Sequence, residues 1–434
     1  MVRGRDVWEW AGSIVEEYSP SDVASTVMEV VARNEGWRGR ECINLLAPEA
    51  PLSPTARRLL SSELCQRAGE GEVGDRWFAG TKYVDELEAL TVELAKKLFG
   101  CNFADQRLVS GMVANAVVYF AATKPGDVLM SIPKPYGGHS SNLDDGPAGM
   151  RGLRIQYIPF NADDMVIDVE LLKEMIPLVK PDMIAIGQTL TLFPQPVKKL
   201  SDLAEDHGFK IYFDGAHQLG LMAGGAFPNP LGEGADFLTG STGKTLSGPQ
   251  GGIILWNKEE YTERLRWAIF PGLAATHQIN RVAALAVSLA EMLEFGRDYM
   301  GQIVSNARAL GKALDGLGFR VLCAHRGYTE TQMIAVDVTR CGGGREAAQR
   351  LEEANIIVNK NLLPSDRPES WDNPSGIRLG VTEVTRLGMK EREMSRIAGL
   401  IHRVLLQNED PGKIRREVVE FRSGFQRVHY CFDA

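Results

Sequence analysis

The chain has 434 residues, 44% hydrophobic and 24% charged, with a formal net charge of -8. That length can bury a sizeable core in about two domains, and an acidic balance without a long Lys/Arg run argues against nucleic acid or an anionic membrane as partner. No apolar stretch approaches the roughly 20 residues of a membrane helix, the opening MVRGRDVWEWAGSIVEEY lacks an apolar signal core, and the six Cys are scattered without a CxxC pair, so a cytoplasmic protein without structural disulfides or a metal site is expected.

An N-terminal helical segment is expected over 1–40, with helical periodicity across 7–35 that closes at Asn34-Glu35-Gly36. Residues 83–99 (YVDELEALTVELAKKLF) repeat the pattern and end at Gly100. Ser110-Gly111 opens a helix over VANAVVYFAATK, and Lys124-Pro125-Gly126-Asp127 reads as a turn. DVLMSIP, LRIQYIPF, DMIAIGQTL, KIYFDGAH and GGIILW are short apolar runs of strand type, with LKEMIPLVK and VKKLSDLAEDHG as helices between some of them. The alternation predicts an α/β domain with a mostly parallel, buried sheet. A long helical region beginning at VAALAVSLAEM leads to a smaller domain. There FRVLCA and MIAVDV read as strands and REAAQRLEEAN as a helix. The expected division is a large domain over 41–300 and a small one over 301–434.

The stretch FLTGSTGKTLSGPQGGIILW carries a Gly-Lys-Thr triplet. A phosphate-binding loop requires G-x-x-x-x-G-K-[ST] opening a helix. Five residues before Gly243 stands Leu238, and the Leu-Ser-Gly-Pro-Gln-Gly-Gly after Thr245 does not continue as a helix, so that reading fails. The alternative is a lysine that forms a Schiff base with an aldehyde cofactor such as pyridoxal 5'-phosphate. Such a site needs a carboxylate at the pyridinium nitrogen and a hold on the phosphate. Asp214 ends the strand-like KIYFDGAH thirty residues before Lys244, and His217 follows three residues later, placed to reach a phenolate oxygen. Ser110-Gly111-Met112 begins a helix whose free N–H groups suit a phosphate. Tyr136-Gly137-Gly138-His139 offers an imidazole to stack on the ring. Taken singly, each has an ordinary reading: Asp214 as a turn or cap acid, His217 as a core histidine, Gly-Gly-His as a turn and Ser110-Gly111 as an unliganded helix start.

From about Ile43 to Asp433 the chain resembles serine hydroxymethyltransferase, a dimeric fold-type-I pyridoxal-phosphate enzyme, and most of all its archaeal branch. The stretches that carry this are EGEVGDRWFAGTKYVDELE, SGMVANAVVYFAATKPGD, YGGHSSN, FDGAHQLGLMAGG, GSTGKTLSGPQGG, EFGRDYMGQIVSNARAL, NIIVNKNLLP and SGIRLGVTEVTRLGM. The resemblance implies a large domain with a mostly parallel, seven-stranded-type sheet and a smaller C-terminal α/β domain. It also implies a homodimer with active sites shared across the interface. Lys244 would carry the cofactor imine, Asp214 would pair with the pyridinium nitrogen, His217 would sit near the phenolate and His139 would stack on the ring. Gly111 and Met112, with Ser110, would serve the phosphate, Thr189 and Ser241 would lie near the cofactor, and Gly272 would help the partner subunit's phosphate site. Arg378 would grip the substrate α-carboxylate, as a planar guanidinium suits. Glu70 would be the acid–base carboxylate near the substrate hydroxyl.

The departures from the family pattern fall on the substrate side. The family's Thr-His-Lys-Thr is Thr242-Gly243-Lys244-Thr245, its Tyr-Ala-Glu-Gly is Ala68-Gly69-Glu70-Gly71, a further tyrosine is Phe78, and Ala-Ser-Glu-Asn is Ala47-Pro48-Glu49-Ala50. Each hydrogen bond lost to a charged substrate costs about 1.5–3 kcal/mol. The expected activity is therefore formation of a Cα carbanion from a β-hydroxy-α-amino acid, with retro-aldol cleavage or hydroxymethyl transfer on an altered, larger substrate. A tetrahydrofolate-type carrier enters if the family pattern is followed in full. The alternative is dehydration and cyclisation of a hydroxylated amino acid in specialised metabolism.

Overall fold

The computed structural model describes residues 3–433. Two helices lead, α1 (Arg3–Glu17) and α2 (Pro20–Gly36). The sequence predicts one helix across 7–35, but the chain breaks at Ser19-Pro20. Ser19 Oγ caps the Asp22 N–H at 3.3 Å, and Pro20 sits at the first helical turn, where its missing N–H has no intrahelical partner to lose. No residue of α2 is buried.

Helix α3 (Lys82–Phe99) ends at Gly100 in the left-handed conformation, as the terminal glycine predicts. The main sheet follows: β1 (Phe103–Leu108), β2 (Val128–Ser131), β3 (Arg154–Tyr157), β4 (Met183–Gly187), β5 (Lys210–Asp214), β6 (Phe237–Ser241) and β7 (Gly252–Trp256). These seven strands lie in the order β1-β7-β6-β5-β4-β2-β3. Strand β7 runs antiparallel to both its neighbours, and the remaining pairings are parallel. Strands β2, β4 and β7 are buried along their whole length, which is why they read as short apolar runs without alternation. Helices α4 (Gly111–Ala122), α5 (Val169–Val179) and α6 (Val197–His207) connect and cover them.

Helix α7 (Ile279–Gly316) is 38 residues long and passes through position 301 without interruption. Beyond it, β8 (Arg320–Val321), β9 (Met333–Asp337), β10 (Asn359–Asn361) and β11 (Gly376–Gly380) form an antiparallel sheet in the order β8-β9-β11-β10. Helices α8 (Gly344–Glu353) and α9 (Glu391–Leu405) pack beside it. One apolar cluster runs from Ile184 and Phe213 in the large sheet, through Met300 and Leu310 of α7, to Ile334 and Leu379 of the small one. No described helix is long and apolar enough to cross a membrane. The carboxyl ends of β4, β5 and β6 deliver Gly187, Asp214 and Ser241 to one edge of the sheet, where open α/β sheets place their ligands.

Candidate active site

A cavity of about 140 Å³ lies at that edge, lined by Gly111, Met112, Asn115, His139, Gln188, Thr189, Asp214, Ala216, His217, Ser241 and Lys244. Eight of the residues singled out from the sequence thus meet in one place: Gly111, Met112, His139, Thr189, Asp214, His217, Ser241 and Lys244. Each arrives for a local reason. Asp214 is the last residue of β5 and pairs in register with Gly187 of β4, and a Cβ at position 187 would overlap the Asp214 Cβ. Ser110 caps α4 by accepting the Val113 N–H at 3.2 Å, which leaves the first N–H groups of that helix facing the cavity. Gly138 lies so close to Ile132 that any side chain there would overlap the Ile132 carbonyl, and this approach turns His139 inward.

The acid is held by amides. Asn115 Nδ2 donates to Asp214 Oδ2 at 2.7 Å, Asn142 Nδ2 donates to the same oxygen at 3.4 Å, and the Ala216 N–H donates to Oδ1 at 3.2 Å. Thr239 Oγ1 donates its single proton to Asn115 Oδ1 at 2.7 Å, so Tyr212 must be the donor in its 2.8 Å contact with Thr239. Burial, with the Asp214 charge beside it, holds the Tyr212 phenol well above its usual pKa, so it remains a donor. The Ser141 N–H donates to His139 Nδ1 at 3.2 Å, which leaves Nε2 as the protonated nitrogen of a neutral ring. Burial lowers the His139 pKa and pushes that of His217 well below the ordinary imidazole value. His217 Nδ1 finds no hydrogen-bond partner among the described residues.

Lys244 follows β6 in the turn that the glycines shape. Burial lowers its amine to about 8. Asp214 opposes that shift and Arg378 adds to it. Arg378 stands on β11 of the small domain and is buried. Its Nε donates to Asn359 Oδ1 at 3.1 Å across the β10–β11 pair, and Nη1 donates to the Thr189 carbonyl. Burial lowers it to about 10. It has no carboxylate partner among the described residues, so a buried cation is left for an incoming anion.

Sequence reasoning did not single out Asn115, Asn142 or Gln188. The signal for Asn115 was available: a single amide inside the otherwise apolar run VANAVVYFAA, on a helix whose buried face leaves no room for an unpaired polar group. The remaining predicted residues stand elsewhere. Glu70 accepts from Thr276 Oγ1 at 2.5 Å, Phe78 is exposed, and Gly272 is exposed in the π-helical turn Ala268–Leu273, none of them lining the cavity.

These groups fit pyridoxal 5'-phosphate. An amine of lowered pKa, a carboxylate fixed by amides, a neutral imidazole, an unpartnered buried imidazole nitrogen and a capped helix start surround one small cavity at the carboxyl edge of the sheet. Fold and site together define a fold-type-I pyridoxal-phosphate enzyme. The family model described as serine hydroxymethyltransferase matches residues 21–401. The chain is 47% identical to serine hydroxymethyltransferase of Methanocella arvoryzae over 394 residues, covering 91% of this chain and 93% of the relative. It is 46% identical to the Thermococcus kodakarensis enzyme of that name over 412 residues, covering 94% and 95%. Identity to the Archaeoglobus fulgidus enzyme is 44% over 427 residues, covering 98% and 96%. The chain belongs to the serine hydroxymethyltransferase family, whose members use pyridoxal phosphate and usually tetrahydrofolate as the one-carbon carrier.

Proposed function

We propose that this chain cleaves Cα–Cβ in a β-hydroxy-α-amino acid larger than serine. The observation that carries the amino acid reading is Arg378, a buried guanidinium beside the cavity without a carboxylate of its own. It binds the substrate α-carboxylate and so orients the Cα bonds. Bound at Lys244, pyridoxal phosphate supplies the electron sink for a carbanion at Cα. Asp214, fixed by Asn115 and Asn142, would hold a proton on the ring nitrogen. His139 would stack on the ring, and His217 and Thr189, which line the same cavity, would serve its polar groups. The N–H groups of Gly111 and Met112 would hold the phosphate. Lys244, whose amine burial lowers to about 8, would move a proton at Cα.

The larger substrate is inferred from the departures. Gly243 and Ala50, where the family has histidine and asparagine, both face a groove of about 1240 Å³ next to the lysine turn, as does Glu49. We assign Glu70, Phe78 and Gly272 to the cavity of a second copy, since they line none of the cavity around Lys244, and Phe78 and Gly272 are exposed and Glu70 half-buried beside the exposed Trp77 and Leu273. In that arrangement Glu70 exchanges a proton with the substrate hydroxyl.

A panel of hydroxylated amino acids, with products read by mass spectrometry, tests this reading. Glycine plus an aldehyde from a substrate bulkier than serine supports it. Preference for serine overturns the altered substrate, and loss of water without glycine establishes dehydration instead.

A further inference from the structure

A buried charged network lies beneath the loop that carries Glu70. The loop is a short hairpin in which Gly71–Glu72 pairs antiparallel with Asp75–Arg76. Gly71 has φ 104, and a Cβ there would come within 2.5 Å of the Asp75 carbonyl oxygen. The Arg76 side chain is 3% exposed. Its Nη1 donates to the carbonyls of Gly69 at 2.6 Å and Gly71 at 3.1 Å, the two residues that flank Glu70. Its Nε donates to Asp85 at 2.6 Å and its Nη2 to Glu88 at 2.7 Å, both on α3. The other oxygen of Glu88 meets Nε2 of the buried His277. His277 follows Thr276, the residue that donates to the Glu70 carboxylate. Arg107 donates to the Gly71 carbonyl from the other side at 3.1 Å, and the Trp77 N–H closes on the Glu70 carbonyl at 3.0 Å.

Glu70 is thus gripped through both neighbouring peptides and through its own carboxylate. Four of the five N–H groups of one guanidinium are used, in directions that a point-charge ammonium cannot reproduce. Buried ion clusters add little to stability compared with apolar packing, while fully satisfied ones fix geometry. Phe78 is exposed, and Trp77, itself mostly exposed, meets Phe270 edge-on with ring centroids 4.8 Å apart.

We propose that Arg76, braced by Glu88 and His277, is a positioning residue that sets the Glu70 carboxylate for proton exchange with the substrate hydroxyl. This rests on the role given to Glu70 above.

The test is Arg76→Lys in the loaded enzyme. Amide hydrogen exchange over residues 69–78 should quicken, and kcat should fall on the order of 100-fold, the effect of an ångström-scale displacement. KM and the absorbance of the bound cofactor should not change. Glu70→Gln should cost far less in the Arg76→Lys background than in the natural chain. Unchanged loop exchange, independent multiplication of the two losses, or a loosened loop with full kcat would each overturn the proposal. Glu70→Gln with full activity would remove the role of Glu70 itself, and with it the proposed positioning role. Loop exchange in Arg76→Lys would then report only a structural brace. If Arg76→Lys does not fold, Asp85→Asn removes a single, partly exposed partner of the same guanidinium and carries the same measurements, and unchanged exchange and kcat there overturn the proposal equally.

Discussion

Asn115 Nδ2 lies 2.7 Å from Asp214 Oδ2, joining the helix that begins at the cavity to the acid that ends the central strand. The same amide accepts a hydrogen bond at Oδ1 from Thr239, so its orientation is fixed from both sides. Asn115→Leu removes a hydrogen bond to a charged group, about 1.5–3 kcal/mol. The expected outcome is roughly 10- to 100-fold weaker retention of pyridoxal phosphate, read by titrating the apo-protein with cofactor and following absorbance.

Gly187 and Gly243 make a contrasting pair. A methyl group at 187 meets the Asp214 Cβ inside the sheet, where neither backbone can yield, whereas one at 243 meets only the side-chain amide of the exposed Gln250, at 2.8–3.0 Å. Gly187→Ala should cost about 1–3 kcal/mol in denaturant unfolding, the usual overpacking range, together with cofactor loss. Gly243→Ala should stay within about 1 kcal/mol of the natural chain, because Gln250 can swing aside.

The pH dependence of cofactor capture follows from Lys244. Its pKa is lowered to about 8, so the amine is protonated and unreactive below that value and neutral above it. The rate at which apo-protein captures pyridoxal phosphate should therefore rise with pH, with a midpoint near 8 rather than at the ordinary lysine value of about 10.4. Stopped-flow absorbance across pH 6–10 measures it.

Arg378→Lys keeps a positive charge but loses the planar fork. It should raise KM for the amino acid about 10- to 100-fold and leave cofactor absorbance in place. Steady-state kinetics alongside spectra of the loaded enzyme separate the two effects.

Most of the cavity lining was legible in the sequence, because strand ends, a helix cap and glycine turns are local signals. Asp214 closing an apolar run and Ser110 opening a helix needed no tertiary information. The break at Ser19-Pro20 was legible too, as Ser-Pro followed by Asp22, but the apolar periodicity on either side masked it. Asn142 and Gln188 were not legible. Their positions at the cavity depend on the approach of chain segments distant in sequence, such as the Gln188 amide donating to the Tyr136 carbonyl at 2.7 Å. Arg76 was hidden for the same reason: its partner Glu88, and the His277 that meets Glu88, lie 12 and 201 positions later in the chain, and only the fold brings them under one hairpin.

The central claim is the bond between Lys244 and the cofactor aldehyde. Borohydride reduction of the fully loaded enzyme, followed by proteolysis and peptide mass spectrometry, tests it most directly. The account predicts a pyridoxyl label on the peptide containing Lys244 and none in Lys244→Ala. A label on another lysine, or no label on a fully loaded preparation, would contradict it.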